Sequence, residues 1–391
     1  MTWGAPTRGG VPVPVAAPDA GSNRTRRRAF RRWTQITVMV VGFGLCALVL
    51  GTTAGLDSGV GATLLGLLLA ALPVGVVVPA FLWLDRFEAE PTGLLVFAFA
   101  WGALVASVGA LILNTSSMIA LKNAGQDPLT VGAVAVAPFV EETLKAGAVV
   151  LIWRLRRREF DGIVDGMVYA GISAAGFAFA ENIVYLARAY HETGGAGLAA
   201  VFFLRGVMGP FAHPVFTICT GIGLGVAATT RRRGIRVLAP LLGWLAAVSL
   251  HAIWNLSTVA GVRGFLAVYV FLQVPVFAGF LCMAVWARRR EGRLIGQHLS
   301  AYADAGWLSF PEVAMLASMP DRRRARMWAR ATGGRRALAA MTAFQDTASE
   351  LALLRMRMER GAADAQAPAT EQQLLGSLMA RRQEFIGSRV F

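Results

Sequence analysis

Eight apolar stretches constrain what this chain can fold into more than any other feature of its sequence. Each is about 20 residues or longer, enough to cross roughly 30 Å of hydrocarbon as a helix. In chain order they are Gln35–Gly55, Val60–Leu84, Gly93–Leu113, Val131–Trp153, Val164–Ala187, Leu198–Ala227, Val237–Val259 and Phe265–Trp286. The sequence therefore predicts an all-α fold, a polytopic membrane helical bundle with about eight transmembrane helices.

The charged residues lie mostly outside these stretches. Of the 391 residues 55% are hydrophobic and 16% are charged, and 38 Lys and Arg against 23 Asp and Glu give a net charge of +15. Arginine clusters precede the first stretch and follow the fourth, sixth and eighth, whereas the opposite loops hold little beyond Lys122, Arg188 and Arg263. Because basic loops remain in the cytoplasm, we expect a multi-pass protein of the cell membrane with both termini cytoplasmic. The excess charge is then explained by the lipid bilayer and requires no nucleic-acid partner.

The fourth stretch carries ionisable residues, which are costly inside a bilayer and usually line a site there. Pro138 precedes the adjacent pair Glu141 and Glu142, and Lys145 follows. Residues four apart share a helix face, so Glu141 and Lys145 are expected to meet, while Glu142 is turned by about 100° toward another helix. An alternative reading of this group is a structural ion pair that locks the bundle.

Three further stretches carry polar groups of the same kind. Glu181 lies in the fifth stretch, His213 in the sixth, and His251 and Asn255, four residues apart, in the seventh. Counting 1.5 Å per residue inward from the extracytoplasmic helix ends places Glu141 about 15 Å deep and Glu181 about 10 Å deep. The same count gives about 13 Å for His251 and about 20 Å for His213. These depths predict a single site in the outer half of the bilayer.

Two chemistries fit this set of residues. Glutamate and histidine together can activate water by general acid–base catalysis, and imidazole and amide donors can stabilise an oxyanion. Two histidines and one carboxylate also form a familiar zinc site. The candidate catalytic residues are Glu141, Glu142, Glu181, His213, His251 and Asn255, and a zinc ion, if the protein is a metalloenzyme, would be held by Glu141, His213 and His251. The absence of a nearby HExxH, GxSxG or Walker A pattern argues against a standard zincin, serine hydrolase or nucleotide enzyme.

The expected division of roles follows from these chemistries. Glu141 or Glu142 would activate water with assistance from Glu181 and His213, and His251 with Asn255 would hold the oxyanion. Lys145 would keep its neighbouring carboxylate ionised, and Arg205 would serve as a structural charge near the sixth stretch.

Several motifs in the same order resemble those of the PrsW family of intramembrane peptidases, which is distantly similar to the CAAX-processing and bacteriocin-processing membrane proteases. The resemblance runs from about Asp85 to Asn255. The matching segments are Asp85–Pro91, Pro138–Lys145, Phe160–Gly166, Gly176–Asn182, His213 with Gly221, and His251 with Asn255.

The resemblance implies proteolysis within the membrane, by analogy the extracytoplasmic clipping of membrane-anchored anti-sigma factors. It also implies a polar core formed by Glu141, Glu142, Glu181, His213 and His251. In the CAAX-type relatives a histidine follows a phenylalanine by four residues, whereas here Glu181 follows Phe177. Glu181 is therefore open to reading as a base, a ligand or an orienter of a histidine, and a metallo and a glutamic mechanism both remain open.

We expect three regions along the chain: a disordered basic cytoplasmic N-terminus (1–33), a transmembrane protease domain (34–287) and a cytoplasmic helical tail (288–391). In the tail, Ser309 and Glu312 form a predicted capping box. Two other classes of function compete with the protease. A proton- or cation-coupled transporter could use the same glutamates as a relay, and a scaffold or receptor could bind a partner through its tail.

Overall fold

The computed structural model describes the backbone of residues 20–87, 90–157, 160, 162–359, 361, 363 and 365–387, and side chains from residue 37 onward within these ranges except residue 38. The described residues contain helices and no strand, which confirms the predicted fold class. The α-helices and the π-helical segments (π1–π4) between them are α1 Ala20–Ser58, α2 Val60–Leu84, α3 Thr92–Ala100, π1 Trp101–Ala106, α4 Ser107–Asn123, α5 Pro128–Val131, π2 Gly132–Val136, α6 Ala137–Leu155, α7 Ile163–Phe202, π3 Phe203–Met208, α8 Ala212–Thr229, α9 Arg233–Val259, α10 Gly261–Val268, π4 Tyr269–Gln273, α11 Val274–Asp304, α12 Phe310–Leu316, α13 Met319–Glu359 and α14 Ala367–Gly387.

Six helical segments of the described chain are long and apolar enough to cross a membrane. They are Met39–Ser58, Val60–Leu84, Thr92–Asn123, Ile163–Thr229, Arg233–Val259 and Gly261–Asp304. The predicted fifth and sixth stretches both fall within Ile163–Thr229, and the predicted fourth, which holds three charged residues close together, is not among the six. The count of eight therefore stays a prediction, while a multi-pass helical membrane protein is established.

The sixth predicted stretch, Leu198–Ala227, is interrupted in the structure. Just before this stretch, Gly194 breaks the long helix α7 with a φ of 68°, and within it residues 209–211 separate π3 from α8. Pro210 has no N–H to donate and disfavours helical backbone at the residue before it, which accounts for the second break. As a result His213 lies in the first turn of α8 rather than in the middle of a long helix.

The centre of the bundle is the first half of α7, which packs directly against its neighbours through glycines. A Cβ atom on Gly166 would lie 2.0 Å from the carbonyl oxygen of Gly221, so α7 and α8 touch backbone to backbone. A Cβ on Gly176 would lie 2.1 Å from the carbonyl oxygen of Phe99 on α3. Such small-residue contacts are how membrane helices approach closely. Gly221, which belongs to the motif with His213, is therefore a packing residue.

The outer helices present apolar side chains outward. Leu45, Leu68, Leu242 and Phe271 are exposed on α1, α2, α9 and π4. Charged groups occupy the interior instead, an arrangement suited to a lipid surround.

The tail forms its own apolar core, which includes Leu299, Leu316, Phe344, Leu351 and Leu378. Its predicted capping box is confirmed, because the Ser309 hydroxyl accepts from the N–H of Glu312 and the Glu312 carboxylate accepts from the N–H of Ser309 at 2.7 Å. Helix α11 crosses the predicted boundary at residue 288 without a break.

The predicted N-terminal region (1–33) stays a prediction. Residues 1–19 lie outside the described residues, and α1 begins at Ala20. Arginine and alanine are both good helix formers, which explains how the basic segment continues the first membrane helix.

Candidate functional site

Helix α6 places three ionisable side chains in the interior of the bundle. Glu141, Glu142 and Lys145 are 6%, 0% and 0% exposed. The π-helical turn π2 ends at Val136, and Pro138 stands at the start of α6, one helical turn before the glutamates. A π-helical turn changes the direction in which the following side chains point, and such turns are frequent at functional sites. The turn π2 therefore helps to direct the glutamates into the cluster.

The lysine meets the predicted Glu141 but lies closer to Glu142. Its Nζ lies 2.7 Å from Oε1 of Glu142 and 3.8 Å from Oε2 of Glu141. Residues three apart are helix neighbours as well as residues four apart, and Glu142 is held from other directions. Thr217 donates to its Oε2 at 2.8 Å and His251 Nδ1 lies 3.0 Å from its Oε1. Glu142 is thus surrounded by donors.

Glu141 has the opposite surroundings. Its Oε1 accepts a hydrogen bond from Asn114 Nδ2 at 3.3 Å. Its Oε2 is buried and has no hydrogen-bond partner among the described residues. The nearest positively charged or ring nitrogens, Lys145 Nζ and His251 Nε2, both lie 3.8 Å away.

The two histidines stand edge to face with ring centroids 5.0 Å apart. His251 Nδ1 lies 3.0 Å from Glu142 Oε1, so in a neutral ring with its proton on Nδ1 the Nε2 atom is an acceptor that faces Glu141 Oε2. Lys145 Nζ lies 3.1 Å from His213 Nδ1, and His213 Nε2 lies 2.9 Å from Glu181 Oε2. These contacts place the proton of a neutral His213 ring on Nε2.

Glu181 is tied to the other side of the cluster. Arg205, on π3, donates from Nη2 to Glu181 Oε2 and from Nε to Asn182 Oδ1, the latter at 2.7 Å. Phe177 lies under Lys145, whose Nζ is 4.3 Å from the ring centroid. Within this motif, Phe177, Glu181 and Asn182 therefore all contact charged side chains of the cluster.

The structure brings together five of the six predicted catalytic residues: Glu141, Glu142, Glu181, His213 and His251. Asn255 does not join them. Its Nδ2 donates to the carbonyl oxygen of Ala133 at 2.8 Å, which links α9 to π2. Through that bond Asn255 supports the segment before Glu141.

Two contributors were missed from the sequence. Thr217 lies four residues after His213, so the helix periodicity of α8 could have placed both on one face. Asn114 lies one residue beyond the predicted end of the third stretch at Leu113, and the helix in fact continues to Asn123.

Three residues of the cluster could hold a metal ion. Glu141, His213 and His251 each offer one ligand atom, and the three atoms lie within 4.8 Å of one another. The unpartnered Oε2 of Glu141 fits a cation, and so does His251, because metal-binding histidines are commonly fixed through their other nitrogen by a carboxylate, here Glu142. His213 would have to release one of its two contacts. The donor set of carboxylate and imidazole suits zinc.

The acidic residues of the motifs Asp85–Pro91 and Phe160–Gly166, near the arginine-rich helix ends, have structural roles. The carboxylate of Asp165 accepts from the N–H of Gly162 at 2.7 Å and caps α7. Asp85 accepts from the N–H of Glu90 at 2.8 Å, and Glu90 accepts from the hydroxyl of Tyr169. Burial raises the pKa of Asp85 to about 7.

Comparison with known proteins covers the part of the chain that holds this cluster. A family profile described as PrsW family intramembrane metalloprotease matches residues 90–280. Protease PrsW of Oceanobacillus iheyensis is 30% identical over 192 residues, which are 49% of this chain and 82% of that protein. Protease PrsW of Geobacillus kaustophilus is 29% identical over 170 residues, 43% of this chain and 70% of its own length. Protease PrsW of Clostridioides difficile is 31% identical over 157 residues, 39% of this chain and 62% of its own. No solved structure matches.

Proposed function

Since this chain belongs to the PrsW family and is an intramembrane protease, we propose that it cleaves peptide bonds of membrane-anchored proteins at the cluster around Glu141. The single observation that carries this assignment is the unpartnered, buried Oε2 of Glu141, which faces Nε2 of His251 at 3.8 Å. In the tautomer of a neutral His251 ring that carries its proton on Nδ1, both atoms are acceptors and require a proton, a water molecule or a cation between them. A water held there is within reach of a general base.

The proposed roles follow from the contacts of each side chain. Glu141 takes the proton from the attacking water, and His251, fixed in orientation by Glu142, presents Nε2 to the same point. Glu142 acts as a positioning residue, since Lys145, Thr217 and His251 already occupy it.

The remaining groups hold His213. Glu181, fixed by Arg205, and Lys145 engage its two ring nitrogens. Glu141 can then give the proton that it took from water to the leaving amine, and His213, whose ring both neighbours keep in place, assists this transfer. Asn255 stabilises π2 through Ala133 and acts through the position of Glu141.

A metal ion of the kind named in the family description would be held by Glu141, His213 and His251. Such an ion would polarise the scissile carbonyl and make bound water more acidic. Zinc is the metal that these ligands favour. Around it, Glu142 would still orient His251, and Glu181 would be available to accept a proton from His213.

A cavity lined by Ala212, the residue before His213, offers a place for the substrate. It has a volume of 290 Å³ and lies next to the helix break at residues 209–211. Its lining includes Met208, Trp254, Tyr269, Phe277 and Gln273. This surface suits an apolar side chain of a membrane segment, and the buried Nε2 of Gln273, which has no partner in the described chain, can donate to an unwound substrate carbonyl.

We propose further that the substrates are anti-sigma-factor-like proteins and that both termini of the protease are cytoplasmic. The arginine clusters support this orientation. It places the helix ends nearest Glu181 and His251 toward the outer face, where an extracytoplasmic stretch of a membrane-anchored substrate would be cut.

The assignment is tested with Glu141→Gln and His251→Ala in proteoliposomes that contain a membrane-anchored reporter. Each variant is expected to cleave about 10²- to 10⁴-fold more slowly than the unaltered protein. Glu192→Gln is the matched control, because Glu192 is exposed and pairs only with Arg188 at the surface. Cleavage at full rate by either cluster variant contradicts the proposed function.

The metal is tested separately on the purified protein. One zinc per chain, together with cleavage that is lost on chelation and restored by zinc, supports the metal site. Full activity in metal-free protein instead supports the glutamate mechanism and leaves the proposed substrate unaffected.

A further inference from the structure

A cavity of 1520 Å³ lies between the transmembrane domain and the tail, away from the catalytic cluster. One wall is the end of α2 with the loop that follows it, the second is the middle of α11, and the third is formed by the end of α12 and the start of α13. It is formed by the transmembrane domain and the tail together, and all of its lining residues lie outside the segment matched by the family profile, residues 90–280.

The lining changes in character along α11. Leu281 and Val285 line one end, and Arg293 lines the other. At 1.5 Å of rise per residue, the twelve steps from Leu281 to Arg293 span about 18 Å. Trp83 and Trp286 stand between the two ends, as tryptophans do at the boundary between hydrocarbon and headgroups. The Arg288 guanidinium lies 4.1 Å from the ring centroid of Trp83, which fixes this arginine at the boundary.

The far end of the cavity carries a concentrated positive charge. Its lining includes Arg86, Arg288, Arg289, Arg293, Arg323 and Arg326. Arg324 also lines it and is paired with Asp321 at 2.9 Å. In the described part of the chain no carboxylate lines the cavity, and Arg86 and Arg288 are close enough to repel each other. Such a site attracts an anion.

We propose that this cavity binds an anionic phospholipid, with its phosphate among the arginines and its acyl chains along Leu281 and Val285. The combination of an apolar end, a tryptophan boundary and a basic end matches the three zones of a lipid in the order in which a membrane presents them. A nucleic acid would leave the apolar end unused. A free phosphate would also leave the apolar end unused, so a lipid is the occupant that contacts both the apolar and the basic end of the cavity.

The bound lipid has a structural consequence. Arg323 and Arg326 belong to the tail, whereas Trp83 and Arg288 belong to the transmembrane domain. A single phosphate between them therefore fastens the tail to the membrane-embedded part of the chain. This inference does not depend on the proposed catalytic mechanism, because none of these residues contacts the cluster around Glu141.

The test measures phospholipid retention by the full-length protein in neutral detergent. Phosphatidylglycerol and phosphatidylcholine are each titrated, and bound lipid is counted by native mass spectrometry. The unaltered protein is expected to retain phosphatidylglycerol and to retain phosphatidylcholine much less. In Arg323→Gln with Arg326→Gln, phosphatidylglycerol should bind roughly 30-fold more weakly. Both changes are in the tail, so the arginines that orient the membrane helices are kept.

Two matched controls keep the result interpretable. Arg335→Gln with Arg336→Gln removes the same charge from exposed positions of α13, just beyond the break at Gly333 and Gly334, and should leave retention unchanged. Arg323→Lys with Arg326→Lys keeps the charge and should restore most of the binding. Helical circular dichroism and size-exclusion elution confirm that each variant is folded.

Glycerol 3-phosphate separates the lipid from a free phosphate. Thermal stabilisation by glycerol 3-phosphate that depends on Arg323 and Arg326, without selective retention of phosphatidylglycerol, would overturn the lipid assignment. Equal retention of phosphatidylglycerol by the cavity variant and by the Arg335 and Arg336 variant would overturn the site itself.

Discussion

Two buried basic side chains, one in the membrane and one in the tail, show how differently this chain treats a charge removed from water. Lys145 is 0% exposed and is surrounded by ionisable groups: Glu142 at 2.7 Å and His213 at 3.1 Å. Arg322 is 1% exposed and donates only to neutral oxygens, those of Leu316, Phe87 and Ser349. Burial accordingly lowers the pKa of Arg322 to about 10.

This difference distinguishes the cluster around Glu141, which is proposed to be reactive, from Arg322, which holds two parts of the structure together. Next to Lys145 a carboxylate oxygen of Glu141 is left without a partner among the described residues, so the network has room for water, a proton or a cation. The network around Arg322 also leaves one atom unpaired in the described chain, Oε1 of Gln345, but this is a neutral amide oxygen. A fully engaged buried charge holds structure, whereas an incompletely satisfied one marks chemistry.

Arg322 also explains how the tail meets the transmembrane domain. Its Nη1 donates to the carbonyl oxygen of Phe87 at 3.2 Å, and its guanidinium lies 5.0 Å from the centroid of the Phe87 ring. Phe87 itself belongs to the apolar core of the tail. Phe87, in the loop that follows α2, is therefore packed into the tail domain.

The largest expected effect distinguishes the two adjacent glutamates. Glu142→Gln leaves Lys145 buried without its closest carboxylate, so we expect a loss of about 3 to 5 kcal/mol in stability together with loss of cleavage. Glu141→Gln should cleave about 10²- to 10⁴-fold more slowly and should keep the melting temperature of the unaltered protein. Thermal denaturation and reporter cleavage of both variants measure this contrast. Equal melting temperatures would show that the two carboxylates are not differently engaged.

The next effect concerns the tail. Arg322→Met removes the charge and three hydrogen bonds, and we expect it to destabilise the tail by about 2 to 3 kcal/mol. Limited proteolysis near residues 305–309 should accelerate, whereas the membrane cluster, which has no contact with Arg322, should keep most of its cleavage rate. Arg336→Met, at an exposed position of the same helix, provides the control. A cleavage loss as large as that of Glu141→Gln would remove the distinction between structural and reactive charges.

A smaller effect should appear as pH dependence through Asp85. Its pKa is raised by burial from 3.8 to about 7, so the folded protein binds more protons than the unfolded chain between these values. The contribution of Asp85 to stability therefore falls as the pH rises from about 4 to about 7. Asp85→Asn keeps an acceptor for the N–H of Glu90 and should flatten this part of the profile of melting temperature against pH. An unchanged slope in the variant would assign the pH dependence to other groups.

The smallest expected effect tests the support of π2. Asn255→Ala removes the bond to Ala133, worth about 1 kcal/mol, and should lower cleavage about fivefold by displacing Glu141. Thr258→Ala is a suitable comparison, because its hydroxyl bonds only to Asn255 within the same helix. If Asn255→Ala lowered the cleavage rate as much as His251→Ala, Asn255 would act directly on the reacting atoms.

Sequence reasoning identified most of the site because residues that are costly in hydrocarbon are few. Glu141, Glu142, Glu181, His213 and His251 could be chosen without knowledge of their neighbours, since each interrupts an apolar stretch. The catalytic role that the same reasoning predicts for Asn255 stays a prediction, because its amide nitrogen bonds outside the cluster. Sharing a helix face with His251 fixes its direction, but the nearest acceptor in that direction is a backbone carbonyl on another element.

The sequence by itself determined the membrane class, the helical fold and the chemical identity of the buried groups, because length, hydropathy and charge are properties of the chain. The tertiary structure alone decided which carboxylate pairs with Lys145 and which is left open. It also decided that residues 209–211 interrupt a helix, with His213 in the turn that follows. Pairing depends on distances of a few ångströms between side chains on different helices. Those distances are set by packing such as the contact of Gly166 with Gly221, which no local pattern encodes.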